Sequence, residues 1–322
     1  MASPIQELLS RSEVGVTIGN FDGLHLGHQA LFERLDRTLA ERSAVSRKPP
    51  LKVLLSFWPH PRQVLNGVKR SQVVDHPELY TLTTVRQKLS LLADNEFSIC
   101  YLLRFSKSFA ELTPEAFLRD YLVQPLHPSV VVIGDDWAFG RDRSGNIGML
   151  TEFGARNGFQ VEVVSGFNLN GRRVSSTAVK NALAAAKFDE LEELLGRRYA
   201  LHGRVRGGEK LGRTLGFPTA NLEFRALLLP PDGIYAGFAH LDGARIPAAI
   251  YIGHRPSFGG KKRVVEVHLM DGRSYDIYGA RLSVEFIQKV RDDCRFATHE
   301  ELIAAIQADV AEARRILSNT KR

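Results

Sequence analysis

The segment from Val16 to Leu31, VTIGNFDGLHLGHQAL, constrains the fold of this chain more than any other. A β-branched run ends in a glycine-rich turn, and His25-Leu26-Gly27-His28 follows. An amphipathic pattern then starts at Leu31, Phe32, Leu35 and Leu39. Strand, tight loop and helix N-terminus is the physical reading. Backbone N–H groups at a helix start favour an anion. Two imidazoles three residues apart share one face of a helical turn, where both can donate to a phosphate oxygen. Gly19 and Gly23 bracket Asn20, Phe21 and Asp22 and permit positive φ where the turn needs it. The spacing points to a grip on a nucleotide triphosphate without a Walker lysine. Two other readings compete: paired metal ligands, which need a third ligand in a chain poor in thiols, and two neutral loop histidines. The flanking glycines favour phosphate.

Strand-like and helix-like segments alternate through the first half. Val14–Ile18, Leu51–Phe57, Phe97–Leu103, Val130–Ile133 and Gln160–Val164 read as strands. Residues 28–40, 84–94, 114–122 and 146–157 read as helices. The alternation predicts a doubly wound parallel α/β domain, in which ligands sit at the carboxyl ends of strands. Val130–Ile133 is wholly apolar, as a strand buried on both faces is. His25-Leu26-Gly27-His28 and Gly134-Asp135-Asp136-Trp137-Ala138-Phe139-Gly140 both follow strands, so they share one rim. A helical Ala- and Glu-rich stretch over residues 178–196 precedes a change of pattern. Short β-rich segments then follow one another between turn signals, predicting an antiparallel barrel or sandwich, and residues 299–318 predict a closing helix. The domains are expected to be 1–186 and 187–322.

Three further motifs of the first half carry chemistry. Ser56–Pro61, SFWPHP, ends the second strand, and Phe57 and Trp58 offer flat apolar surface to a conjugated ligand. A proline-punctuated turn over the core is the plainer reading, and the motif alone does not separate the two. Gly134–Gly145 mixes acids, arginines and aromatics at a sheet rim, as binding loops do. Ser175, Ser176 and Thr177 precede a helical pattern, where they can cap it, and Lys180 falls a turn later, placed to neutralise a phosphate.

Bulk properties set the outer limits. The chain has 322 residues and a net charge of +7. Residues 1–186 hold 21 Lys+Arg against 18 Asp+Glu and residues 187–322 hold 22 against 18. The excess is spread over both halves, where a nucleic-acid binder more often concentrates it in a stripe. A modest positive field also suits polyphosphate substrates. No signal-like start or membrane-length apolar run is present, and Cys100 and Cys294 read as two ordinary buried thiols. The expectation is a cytoplasmic protein.

At this point a family resemblance emerges. GNFDGLHLGH, SFWPHP, GDDWAFGRDRSG and VSSTAVK, in that order, resemble the adenylyltransferase module of bacterial FAD synthetases over residues 14–185. The resemblance implies a Rossmann-like HxGH nucleotidyltransferase domain that moves AMP from ATP to FMN and releases pyrophosphate. It makes His25 and His28 catalytic holders of the ATP phosphates, with Gly19, Asn20, Phe21, Asp22 and Gly23 admitting the nucleotide. Ser175, Ser176, Thr177 and Lys180 become a second phosphate clamp. Phe57, Pro59, His60, Asp136, Phe139 and Arg143 become the flavin contacts. The family commonly has Arg where this chain has Lys180, which keeps the charge and loses the fork. No side chain in these motifs reads as a nucleophile, so direct in-line transfer is expected, driven by positioning and charge neutralisation.

In the second half Gly207–Thr214, GGEKLGRT, nearly satisfies the Walker pattern, but Arg213 stands where Lys belongs and Pro218 argues against a following helix. Thr219 and Asn221 alternate around Ala220, so both project to one face of an extended segment, where their oxygens can help hold a hard divalent cation. GFPTAN, PPDGIYAG, IGHRPSFGG and VVEVHLMD together are similar to riboflavin kinase over residues 198–318. That resemblance implies a six-stranded antiparallel β-barrel with a C-terminal helix that phosphorylates riboflavin with ATP. Thr219 and Asn221 would bind Mg²⁺, Gly212 and Thr219 the nucleotide, and Glu266 would be the general base on the ribityl hydroxyl. The plainer reading of Glu266 is a strand carboxylate paired with a neighbouring cation. Ser257 stands where the family more often has Thr.

The two modules are sequential, one making FMN and the other consuming it. The chain is therefore expected to carry riboflavin through FMN to FAD, with small-molecule partners, no nucleic acid or membrane, and a monomeric or weakly oligomeric state. Two alternatives remain: an adenylyltransferase whose barrel only binds flavin, and a basic nucleic-acid binder on an old nucleotide fold, which would bind with a steep salt dependence.

Overall fold

A computed structural model describes residues 3–67, 76, 79–207, 216–224, 227–254, 263–273 and 275–320. By internal contacts the chain divides into two units, Met1–Ser176 and Thr177–Arg322.

The first unit is built on five parallel strands, β1 (Glu13–Ile18), β2 (Pro50–Trp58), β3 (Ile99–Arg104), β4 (Val130–Gly134) and β5 (Gln160–Val164). Their order is β3-β2-β1-β4-β5. The chain winds outward from β1 in one direction and then from β4 in the other, so the winding reverses between two adjacent strands. That is where such sheets bind ligands. Val130 to Ile133 are fully buried, as their unbroken apolar run requires. Helix Leu26–Ser46 covers one face through Leu31, Phe32, Leu35 and Leu39, which pack with Leu54, Val130 and Val132. The other face packs Leu118, Leu122 and Leu150 against Val16, Val53 and Val131. β6 (Asn168–Leu169) and β7 (Arg172–Arg173) form a small hairpin that strand periodicity had not signalled.

The second unit is a closed barrel of β8 (Ala200–Arg206), β9 (Thr219–Glu223), β10 (Gly233–Leu241), β11 (Ala244–His254), β12 (Arg263–Leu269) and β13 (Arg281–Asp292), ordered β10-β11-β12-β9-β8-β13. The expected choice between barrel and sandwich resolves to a barrel because β10 pairs with both β11 and β13. Register shifts between β10 and β13 at Ile234/Tyr235 and Ala236/Gly237 supply the local bending that closure needs. Inward positions such as Val205, Ile250, Val265, Val267 and Val284 fill the interior. β10 is buried on both faces because helix His299–Ser318 lays Ala313, Ile316 and Leu317 against Ala236 and Phe238.

Arg291 fastens β13 to that helix with two 2.7 Å bonds, Nε and Nη2 to the two oxygens of Asp309. Asp309 is 6% exposed, so losing its partner leaves a buried carboxylate. Arg291→Met is expected to destabilise the second unit by about 2 kcal/mol, at the low side for a broken buried pair because the guanidinium is partly solvated. Denaturant unfolding checks this, and an unchanged midpoint would count against it.

Several elements depart from expectation. The stretch over residues 178–196 is two helices, Ser176–Ala184 and Phe188–Leu195, because Ala186 turns left-handed (φ 52°) and ends the first. Residues 114–122 are not one helix. Pro114–Phe117 passes into a π-helical segment, Leu118–Val123, and then Gln124–Leu126. One of the short β-rich segments read from the sequence spans residues 275–287, and only its part from Arg281 is strand, after a turn at Tyr278-Gly279 (Gly279 φ 80°). Cys294 is exposed rather than buried, since it lies beyond the end of β13; Cys100 is half-buried, and both are free thiols.

Candidate active sites

In the first unit the carboxyl ends of β1, β2 and β4 carry GNFDGLHLGH, SFWPHP and GDDWAFG, so the three motifs fall on one edge of the sheet. His25 is the N-cap residue of helix Leu26–Ser46, but its side chain makes no capping hydrogen bond, and the first turn holds no acid. A helix N-terminus of this kind, here on a 21-residue helix, favours an anion. The His25 and His28 rings stack with centroids 3.7 Å apart and 16° between planes. The sequence predicted one shared face, and the stack makes the pair one unit. Phe21 meets His28 edge-on at 5.2 Å.

The loop between Gly19 and Gly23 is shaped from behind. Phe21 is 1% exposed and packs on Phe32 as well as on His28. Asp22 is 3% exposed, and its Oδ1 accepts from the Leu82 N–H (2.8 Å) and the Thr83 N–H (3.3 Å). Both side chains face inward: contacts with His28 and Phe32 hold the Phe21 ring, and the Leu82 and Thr83 N–H groups turn the Asp22 carboxylate. What they can offer a nucleotide is backbone. Gly23 takes φ 86°, and a Cβ there would lie 2.8 Å from Leu82 Cδ1.

Ser176 Oγ donates to the Asp22 carbonyl at 3.1 Å, tying the start of helix Ser176–Ala184 to the histidine loop. Ser175 is half-buried beside it; Thr177 is exposed and Lys180 half-buried a turn later, both in the second unit. Gly27 explains itself here. A Cβ on it would sit 3.1 Å from the Val174 carbonyl oxygen and 3.1 Å from His25 Nδ1. Gly27→Ala is therefore expected to lower any turnover at this loop several-fold, at a cost of about 1 kcal/mol or more for the crowding. Helix propensity alone would favour alanine, so a thermal midpoint that does not fall while turnover does would separate the two effects.

The aromatic residues form a wall. Half-buried Phe57 lies among Phe105, Phe109 and Phe117 at 5.9 to 6.4 Å. Phe139 is buried beneath Trp137, stacked at 4.4 Å and 21°. Trp137, which the sequence reading left out, presents the more accessible ring. The 137–145 loop is closed by paired hydrogen bonds between Phe139 and Gly145. Pro59 follows Trp58 through a cis peptide bond. Pro61 opens the helix Pro61–Leu65, and His60 Nδ1 caps it by accepting from the Arg62 N–H at 3.2 Å.

Of the two acids after β4, Asp135 is engaged structurally. The Gly166 N–H (2.9 Å), with Arg173 Nη2 at 2.6 Å, holds its carboxyl below the usual carboxylate range. Asp136 keeps most of its side chain in solvent, with Arg173 at 3.4 Å, and its carbonyl accepts from Arg143 at 3.4 Å. Arg173, immediately before Val174-Ser175-Ser176, was missed because its bonded partner Asp135 lies 38 residues upstream.

In the barrel, antiparallel register sets Glu266 on β12 opposite Asn221 on β9 and His268 opposite Thr219. Thr219 Oγ1 donates to Glu266 Oε2 at 3.1 Å. Thr219, Asn221 and Glu266 are all half-buried and alternate with buried Ala220, Leu222, Val265 and Val267. An alcohol, an amide and a carboxylate therefore share one side of two paired strands. A cleft beside Thr219 is bordered by Pro218, Arg273, Tyr275 and Tyr278; the last three were not among the expected residues. Gly212 and Ser257 lie outside the described residues.

Comparison with known proteins agrees with both halves. The FAD synthetase family profile matches residues 9–178, and the riboflavin kinase profile matches residues 195–317. The chain is 38% identical to a bifunctional riboflavin kinase/FMN adenylyltransferase of Escherichia coli strain K12, over 95% of this chain and 93% of that protein. It is 40% identical to one of Pseudomonas fluorescens (92% and 91% covered) and 37% identical to one of Haemophilus influenzae (93% and 92%). A crystal structure described as a macrolide-efflux protein from Streptococcus pneumoniae shares the fold over 96% of this chain and 95% of its own, with a TM-score of 0.79 at 27% identity. Export is what that description says of that protein. Among the described residues here, no helix is long and apolar enough to cross a membrane.

Proposed function

The chain belongs to the bifunctional riboflavin kinase/FMN adenylyltransferase family, and from that premise we propose how its residues divide two ATP-dependent reactions. The barrel phosphorylates riboflavin to FMN, and the parallel-sheet domain joins FMN to the AMP moiety of ATP to give FAD and pyrophosphate. We set the functional boundary near residue 187, in the break between the two helices.

For adenylyl transfer, a phosphate oxygen of FMN attacks the α-phosphorus of ATP in line, and the bond to the departing pyrophosphate breaks. His25 and His28 donate to the phosphate oxygens as charge shifts onto the leaving group. Backbone of residues 19–23 lines the nucleotide, Ser175, Ser176 and Thr177 offer hydroxyl donors to phosphate, and Lys180 supplies positive charge. The flavin ring lies on the aromatic wall, with Phe57, Pro59, His60, Asp136, Phe139 and Arg143 around it and Trp137 added to the set.

In the barrel, Glu266 takes the proton from the ribityl hydroxyl, whose oxygen attacks the γ-phosphorus of ATP as ADP leaves. Thr219, Asn221 and Glu266 present hard oxygen donors, a set that fits Mg²⁺; Thr219 and Asn221 would hold it, and bound there it would offset phosphate charge. The Thr219–Glu266 contact carries the reading of an active barrel over a barrel that only binds flavin, because base and phosphate-side hydroxyl sit together.

A time course with riboflavin, ATP and Mg²⁺ tests it. FMN should rise first and FAD follow; FAD formed only from supplied FMN would favour the inactive barrel. We take the chain to act as a monomer or weak homo-oligomer, and the free thiols of Cys100 and Cys294 support a reducing, cytoplasmic setting.

A further inference from the structure

The loop that leads into the histidine helix is held in a costly shape. Phe21 (φ 47°) and Leu24 (φ 44°) both take left-handed backbone without being glycine, a conformation that is costly for a residue with a side chain. Such strain persists only where the surroundings over-determine it. One anchor is already described, Asp22 on the Leu82 and Thr83 N–H groups. The other is Lys88, from helix Val85–Ala93, whose Nζ donates to the Asn20 carbonyl at 2.6 Å while Ser56 Oγ reaches the same oxygen at 3.4 Å.

Lys88 is 8% exposed. Burying an ammonium is expensive, and an uncharged chain of the same length would fill that space without the expense. Burial lowers its pKa from the ordinary 10.5, against the pull of Asp22 in the loop and Cys100 on β3, the ionisable groups that act on it among the described residues. A buried cation directly behind a loop that grips phosphates serves the loop better than it serves the core.

We propose that Lys88 is a positioning residue for adenylyl transfer: it pins the Asn20 carbonyl behind the loop, keeping the backbone of residues 21–24 and the His25–His28 pair set for the nucleotide phosphates. The proposal rests on the histidine loop being the ATP grip.

The protonated form of Lys88 makes the stronger bond to the carbonyl, so adenylylation should fall as pH rises through its lowered pKa. Stability moves the other way. Between that lowered value and 10.5 the unfolded chain binds more protons than the folded one, so the Lys88 contribution to stability grows with pH. A merely structural role would not make turnover fall while stability gains.

Full-length Lys88→Met and Lys88→Arg should be assayed for both reactions from neutral to alkaline pH, beside wild type and His28→Ala. Lys88→Met is expected to lose about tenfold to 10²-fold in kcat/KM for FMN adenylylation with riboflavin phosphorylation unchanged. Lys88→Arg keeps its charge throughout and should retain adenylylation while shifting the alkaline decline upward. Wild-type adenylylation in Lys88→Met, with His28→Ala defective, overturns the role of Lys88 alone; full adenylylation in His28→Ala removes the ATP grip itself. If Lys88→Met does not fold, Lys88→Arg decides, and a decline identical to wild type overturns the proposal. Should both variants fail to fold, a wild-type profile flat into the alkaline range overturns it.

Discussion

His28→Ala is expected to phosphorylate riboflavin at the wild-type rate and to form FAD about 10²- to 10³-fold more slowly, so that FMN accumulates. The size follows from what one preorganised donor to developing phosphate charge is worth. The ring is held by its stack on His25 at 3.7 Å and by the Phe21 edge at 5.2 Å. It therefore needs little reordering when the nucleotide arrives. Because the two imidazoles are in contact, their losses should not add: a His25→Ala, His28→Ala double variant should be only modestly slower than either single. A time course that separates riboflavin, FMN and FAD measures all three species at once, and the intact kinase rate reports on folding. FAD formation at the wild-type rate in His28→Ala would remove the histidine pair from the mechanism.

The histidine site was legible because its parts are contiguous. Strand, loop, His-x-Gly-His and helix occupy residues 13–46 without interruption, and the apolar run at Val130–Ile133 announces a central strand by itself. The direction of a side chain within the loop was not legible. Asp22 reads as a polar loop residue, and only the approach of Leu82 and Thr83 from 60 residues away turns its carboxylate inward. Lys88 reads as one cation in the helical pattern over 84–94; what shows its place is its bond to the Asn20 carbonyl, 68 residues upstream. In the barrel, alternation put Thr219 and Asn221 on one face, but nothing local ties Thr219 to Glu266, 47 residues on. Their contact is a property of β9–β12 register, which period-2 patterning leaves open until the strands are paired. Breaks such as Ala186 were hidden for another reason: alanine is the strongest helix former, and tertiary context overrode it.

Glu266 carries the second large effect. Glu266→Gln is expected to lower riboflavin phosphorylation by about 10²- to 10⁴-fold, the usual contribution of a positioned general base, while FAD formation from supplied FMN stays at the wild-type rate. Glutamine preserves the strand, the side-chain length and an oxygen that can still accept from Thr219 Oγ1. The loss therefore reports on proton acceptance, not on the shape of the barrel. Glu266→Ala should lose as much, and if it loses far more, the carboxylate also organises Thr219 and the donor set around it. Thr219→Val separates these roles, since it removes the 3.1 Å contact to Glu266 without touching the base. A kinase slowed mainly through its KM for ATP would assign Thr219 to nucleotide binding, whereas a slowed kcat at unchanged KM would assign it to orienting Glu266. Unaltered phosphorylation in Glu266→Gln would leave Glu266 as an ordinary strand carboxylate and require the base to be found elsewhere in the cleft bordered by Arg273, Tyr275 and Tyr278.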